Sequence, residues 1–98
     1  MTFAERMMQD RRLVILRLLE QAQEYRANEE LMHDALEDFG HGVTHDQVRG
    51  DLAWLSEQGL VTTHEIAGVM IAVATARGLD VAHGRASVPG VRRPAPGE

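Results

Sequence analysis

Apolar residues recur with helical spacing in three consecutive segments before the pattern changes to that of β-strands. The first segment predicts a helix that starts at about Thr2 or Ala4 and ends at Gln23, with apolar residues around much of its circumference. The second predicts a helix that follows the N-cap residue Asn28 and stops at Gly40. These two helices therefore form the first half of a helical domain.

The third helix, over residues 44–58, has the strongest local signals. Thr44 and Gln47 have the spacing of a capping box. Val48, Leu52 and Leu55 recur at i, i+4 and i+7, which predicts a buried stripe. A rotation of about 100° per residue places a mixed set of residues on the opposite face: Asp46, Arg49, Gly50, Ala53 and Glu57.

A hairpin and a short helix are expected after the third helix. Residues 60–66 and 69–74 are rich in β-branched side chains and flank an Ala-Gly turn, so they predict two paired strands. Thr75 is a suitable N-cap for a short last helix. Residues 87–98 contain three prolines and two glycines, which favours a flexible tail. Residues 23–27 are expected to be a short polar connection.

The predicted fold class is mainly α with a small β-hairpin, built from a three-helix core, a two-stranded wing, a short C-terminal helix and a disordered tail. Residues 51–61 contain the pattern Leu-x-x-Leu-x-x-x-Gly-Leu-Val, and residues 75–78 contain Thr-x-x-Gly. Through these two motifs the chain resembles the winged helix-turn-helix families of bacterial regulators, the ArsR-like and MarR-like groups in particular. The resemblance implies a winged-helix domain over residues 1–86, with residues 87–98 as the tail.

The whole chain also resembles the small ArsR-like proteins of Mu-like phages and prophages. Residues 77–82, Arg-Gly-Leu-Asp-Val-Ala, and residues 88–94, Val-Pro-Gly-Val-Arg-Arg-Pro, carry this likeness. It implies a phage-associated protein. The ArsR-like sensors bind metal through cysteines, which this chain lacks, so their metal sensing does not follow from the resemblance.

Charge argues against a simple DNA-binding surface. The 98 residues carry ten arginines, no lysine and fifteen acidic residues, for a net charge of -5. Non-specific DNA affinity comes from cations that neutralise phosphates. Six arginines and twelve acidic residues lie in residues 1–60, so only the predicted wing and tail are not dominated by acid.

Neither an enzyme nor a metal site is indicated by the sequence. No phosphate loop, nucleophile elbow or strand-end carboxylate pair is present. His41 and His45 are four residues apart but lie on either side of a helix boundary, so they do not form a helical ligand pair. We expect no catalytic activity, no cofactor and no metal. The first ten residues contain charges and no apolar signal region, and with no apolar run of membrane length this favours a cytoplasmic protein without a membrane partner.

Two functional hypotheses remain from the sequence. The first is a DNA-binding, dimeric transcriptional regulator whose third helix lies in the major groove. Its candidate nucleic-acid-binding residues are Thr44, His45, Arg49, Gly50, Ala53, Arg77, Arg85, Arg92 and Arg93. The second is a winged-helix module that binds a protein and has no significant DNA affinity.

Two structural questions accompany these hypotheses. The apolar circumference of helix 1 fits either a central helix of the domain or a homodimer interface, and Phe3, Met7 and Met8 favour the homodimer. Gly50 within a helix costs about 1 kcal/mol relative to Ala, so it either permits close approach of a ligand or reflects packing within the chain.

Overall fold

Four helices and three strands form the computed structural model, which describes residues 1–98. The elements are α1 Phe3–Gln21, β1 Arg26–Asn28, α2 Glu29–Asp38, α3 His45–Glu57, β2 Val61–Ile66, β3 Val69–Ala74 and α4 Ala76–Ala82. A 3-10 turn, Gln23–Tyr25, separates α1 from β1. The result is an α+β domain with four helices and a three-stranded antiparallel sheet.

Helix α1 lies at the centre of the hydrophobic core. It packs against α2, α4 and β3, so side chains on several of its faces are covered within a single chain. Its fully or nearly buried apolar residues are Leu13, Val14, Ile15, Leu16 and Leu19. A second subunit is therefore not needed to bury the middle of this helix. The N-terminal Phe3, in contrast, is 76% exposed.

The predicted N-caps are confirmed. The Asn28 side chain accepts the Leu31 N–H, and the Thr75 hydroxyl accepts the Gly78 N–H. At the start of α3 the full capping box is present, because the Thr44 hydroxyl accepts the backbone N–H of Gln47 while the Gln47 side chain accepts that of Thr44. These reciprocal bonds satisfy N–H groups that a helix start leaves without partners.

The sheet has one strand more than the predicted two-stranded wing. β1 pairs with the free edge of β3, and Ala27 lies opposite Ala72. The segment expected to be only a polar connection therefore contains a strand. Three residues without alternating apolar positions give no strand signal of their own, and the pairing depends on an edge supplied by residues 45 positions later in the chain.

The C-terminal segment also differs from its expected flexibility. We call residues 87–98 the strap, because they run along the outer side of α1. Val88 and Val91 are buried in the core cluster, and the Arg92 N–H donates to the Gln9 carbonyl at 3.1 Å. Composition favoured disorder because prolines and glycines dominate this segment, but two valines and two charged side chains are sufficient to hold it.

The arrangement of helices and sheet is consistent with a winged-helix shape. Helices α2 and α3 are joined by a turn at residues 39–44, and the β2–β3 hairpin follows α3 directly. No helix is long and apolar enough to cross a membrane.

Candidate nucleic-acid interface

The outer face of α3 is open to solvent. Gly50 and Ala53 are exposed, as the helical periodicity predicted, and the N-cap Thr44 and the neighbouring His45 are exposed too. A Cβ atom added at Gly50 would meet no atom within 4 Å, so nothing in the same chain requires a glycine there. The packing interpretation of Gly50 therefore has no support from its surroundings.

Arg49, the single arginine on this face, is bound to two carboxylates. Its Nη1 donates to Glu29 and its Nη2 donates to Glu65. The Nη1 group also lies 3.4 Å from the carbonyl oxygen of Gly68, at the tip of the hairpin. The hydrogen bond to Glu65 is the largest effect that raises the pKa of Arg49. Arg49 therefore fastens the hairpin to α3.

Glu29 connects Arg49 to two further elements of the fold. It is the first residue of α2, it is buried, and its carboxylate also accepts the Met70 N–H of β3 at 2.6 Å. One carboxylate thus joins α2, α3 and β3. A carboxylate in the first turn of a helix is favourable, but nothing in the sequence indicated that Glu29 binds Arg49.

Acidic side chains reduce the positive potential of the same face. Asp46 and Glu57 are exposed on α3, and Glu65 is exposed on β2. These carboxylates repel DNA phosphates. Arg49 is the only arginine on α3, and its charge is already neutralised by Glu29 and Glu65.

The other four predicted arginines, one in α4, one just after it and two in the strap, fall into two groups. Arg85 pairs with Asp80 at 3.0 Å, and Arg92 pairs with Asp10 at 2.6 Å and with Glu98 at 3.0 Å. Arg77 and Arg93 are exposed and make no ion pair within the chain. Of the five arginines assigned to DNA, these two are free to bind phosphate without losing an internal partner.

Two histidines stack at the start of α3. The rings of His33 and His45 are 4.1 Å apart and nearly parallel. The Nε2 atom of His33 lies 2.8 Å from the Val43 carbonyl, and Nδ1 lies 3.3 Å from Asp34, whose hydrogen bond raises the pKa of His33. Both nitrogens thus face oxygen acceptors, which suits the protonated ring. His33 was not among the predicted interface residues.

Sequence reasoning missed a charged cluster beneath α3. Asp51 is only 4% exposed, and it accepts hydrogen bonds from Nε and Nη2 of Arg11. The guanidinium of Arg12 lies 3.8 Å from the centroid of the Trp54 ring and donates to the Gly90 carbonyl at 3.0 Å. The cluster ties α1, α3 and the strap together.

A second missed group lies at the turn before α3. His41 is 2% exposed and its Nε2 lies 2.8 Å from Asp10, while its Nδ1 has no partner. Burial acts to raise the pKa of Asp10, but hydrogen bonds with His41 and Arg92 outweigh it and lower that pKa. His41 is therefore a buried structural histidine in the turn between α2 and α3.

The strap ends in a charge pair that can be titrated. Glu98 accepts hydrogen bonds from Arg92 and the Ala95 N–H, and its carboxylate lies 2.9 Å from Arg17. These contacts, with Arg92 first, lower the pKa of Glu98 to about 2. Because this pKa lies below the unfolded value, the Glu98 contribution to strap stability is fully present above pH of about 4.5 and is lost as pH falls towards 2.

We expect a carboxyl titration followed by NMR to place the Glu98 midpoint at about 2. In Arg92→Ala the midpoint should rise towards the ordinary glutamate value, because the strongest hydrogen bond is removed. Arg93→Ala is the matched control, since this neighbouring exposed arginine makes no ion pair. A Glu98 midpoint near 4 in the unmodified chain would show that the strap ion pairs are absent in solution.

A groove lies beside the strap, on the same side of α1. Its volume is about 400 Å³, and its walls come from α1, the end of α2, the end of α4 and the strap. Leu18, Phe39 and Pro94 give it an apolar lining, while Arg17, Glu20 and Glu98 give it charge. None of the nine predicted interface residues lines this groove.

Comparison with known proteins places the chain among phage proteins. It is 50% identical over 88 residues to the uncharacterized protein gp26 of Escherichia phage Mu, and the alignment covers 90% of this chain and 91% of gp26. It is 46% identical over 80 residues to an uncharacterized protein of Haemophilus influenzae, with 81% of this chain and 78% of that protein covered. No protein-family profile and no solved structure matches the chain. The phage association expected from residues 77–82 and 88–94 is confirmed.

Proposed function

This chain belongs to the family of the phage Mu protein gp26, and we propose that it is a non-enzymatic winged-helix protein that binds DNA through α3 and the β2–β3 wing. The observation that carries the proposal is the geometry of α3. The helix begins with a complete capping box, buries one stripe in the core and leaves the opposite face uncovered beside the hairpin. That is the geometry in which a winged-helix protein presents a helix to the major groove.

The open surface at Gly50 and Ala53 supports this proposal. Both residues are exposed and small, so a base edge or a sugar could approach the helix backbone closely. Arg49 lies between this surface and the hairpin, where its guanidinium could exchange the exposed Glu65 for a phosphate or a guanine. The buried Glu29 would keep its bond to Arg49 and hold the side chain in place.

The proposal predicts weak binding with a shallow salt dependence. With five assigned arginines at most, the slope of log affinity against log salt is expected to be no steeper than about −4.5. We would measure this by fluorescence anisotropy with a labelled duplex of mixed sequence, starting at low salt. Absence of a complex at micromolar protein and low salt would contradict DNA binding by this fold.

Glu65→Gln should strengthen DNA binding by roughly twofold to fivefold, which corresponds to the 0.5–1 kcal/mol typical of an exposed charge. The substitution frees Arg49 from one partner and removes a negative charge next to the DNA. Glu5→Gln is the matched control, because this exposed glutamate on α1 makes no ion pair. An equal effect of both substitutions would indicate that only net charge matters and that α3 is not the interface.

The acidic outer surface of α2 favours a second candidate function, a protein-interaction module. Its exposed residues are Glu30, Leu31, Asp34, Glu37 and Asp38, followed by the exposed Phe39. A basic partner with apolar side chains would match this surface in charge and hydrophobicity. A phage or host protein that is retained by the unmodified chain and lost with Leu31→Glu, while no DNA complex forms, would support this second function.

A further inference from the structure

The outer side of α1 carries a row of regularly spaced residues that the rest of the domain covers only in part. Six residues are separated alternately by four and three positions, which is the spacing of the a and d positions of a coiled coil: Phe3, Met7, Asp10, Val14, Arg17 and Gln21. We call this row the α1 seam. It extends about 27 Å along the helix, and a second helix could pack along it.

The strap lies along the middle of the α1 seam, from Asp10 to Arg17, while Gln21 beyond it is exposed. Val14 is buried, and the strap supplies a charge partner for each charged residue of the seam. Arg92 pairs with Asp10 at 2.6 Å, and Glu98 pairs with Arg17 at 2.9 Å. Phe3, at the other end, is 76% exposed and has no cover.

A second copy of α1 would supply the same two charges. In an antiparallel pair with its two-fold axis next to Val14, Asp10 of each copy faces Arg17 of the other. The seam is therefore self-complementary, which a two-fold symmetric interface requires. Within one chain the strap provides the same two partners, an arginine for Asp10 and a carboxylate for Arg17.

We propose that the strap is a releasable cover of the α1 seam and that its release allows two copies of this chain to associate through antiparallel α1 helices. The partner is a second copy because the two charged positions of the seam match each other in reverse order. In the monomer Arg92 and Glu98 of the strap pair with Asp10 and Arg17 of the seam, in addition to the burial of Val88 and Val91 in the core. The groove beside the strap leaves room for movement.

The test loosens the strap without removing it. Arg92→Ala with Glu98→Gln in the full chain should lower the dimer dissociation constant by about tenfold or more, as measured by sedimentation equilibrium. Glu98→Gln alone should act in the same direction with a smaller factor. Arg93→Ala is the control, because this strap arginine makes no ion pair and should leave the association unchanged.

Cysteine cross-linking tests the geometry of the dimer. The chain has no cysteine, so Val14→Cys introduces a single thiol next to the expected two-fold axis. In the loosened background it should form a disulfide-linked dimer, whereas Ala53→Cys on α3 should not. Adding Arg17→Asp should abolish the dimer, because two carboxylates then face each other at both ends of the pair.

Folding is checked by circular dichroism for each variant. If the loosened double variant folds and remains a monomer at the highest soluble concentration, the proposal is overturned. If the double variant does not fold, the single variant Glu98→Gln tests the proposal instead, because it alters only one surface side chain. An unchanged association constant in Glu98→Gln would then overturn the proposal. A dimer that forms equally well with Arg17→Asp would also overturn it, since another surface would then be the interface.

Discussion

Asp51→Ala is expected to lower the free energy of unfolding by about 3–5 kcal/mol, the usual cost of removing one partner from a buried ion pair. Asp51 is 4% exposed and receives two hydrogen bonds from Arg11, and the Nε of Arg12 lies 3.7 Å from it. Its loss leaves two poorly solvated guanidinium groups side by side. Burial already lowers the pKa of Arg12, and without Asp51 no carboxylate compensates this cost.

Urea unfolding followed by circular dichroism measures the effect, with equal slopes required before midpoints are compared. Asp46→Ala is the control: it lies on the same helix and is exposed, and its effect should stay within about 1 kcal/mol, the usual limit for an exposed acid in the first turn. Similar losses for the two substitutions would show that Asp51 is not the centre of a buried cluster.

The helical spacing of α3 indicated that Asp51 is buried, although the apolar residues alone were used to define the buried stripe. Asp51 lies three residues after Val48 and four before Leu55, so it shares the inner face with both. An acid at such a position is buried only if cations reach it. Those cations, Arg11 and Arg12, lie about 40 positions earlier, and no local rule connects them with α3.

Local rules predicted the features that depend on near neighbours. The caps at Asn28, Thr44 and Thr75 connect residues three positions apart, and all three are present. β1 depends on the distant edge of β3, and the strap depends on α1. These two features were missed because their stability comes from partners far along the chain.

The same distinction applies to the candidate site. Helical rotation correctly placed Arg49 on the face of α3 opposite the buried stripe. It could not show that Glu29 and Glu65, 20 and 16 positions away, bind the guanidinium. The sequence already indicated too little positive charge for a DNA-binding helix. The structure strengthens this argument, because the charge of Arg49 is neutralised within the chain.

Gly78→Ala is expected to destabilise the domain by about 3 kcal/mol, at the upper end of the usual cost of overpacking. A Cβ atom at this position would lie 2.0 Å from the Leu60 carbonyl oxygen. That oxygen also accepts the Thr75 N–H at 3.0 Å, so moving α4 away would break this bond. The Thr-x-x-Gly motif thus has a physical basis: the Thr75 hydroxyl caps α4, and Gly78 lets the helix pack on the Leu60 backbone.

Gly50→Ala is the matched comparison and should have the opposite sign. Gly50 lies within α3 with no atom near its added Cβ, so alanine should stabilise the domain by about 0.5–1 kcal/mol through helix propensity. Thermal and urea unfolding of both variants measure the two effects. A neutral Gly78→Ala would show that α4 does not pack on Leu60. A more stable Gly50→Ala that binds DNA less well would show that this glycine serves the close approach of a ligand and not the fold.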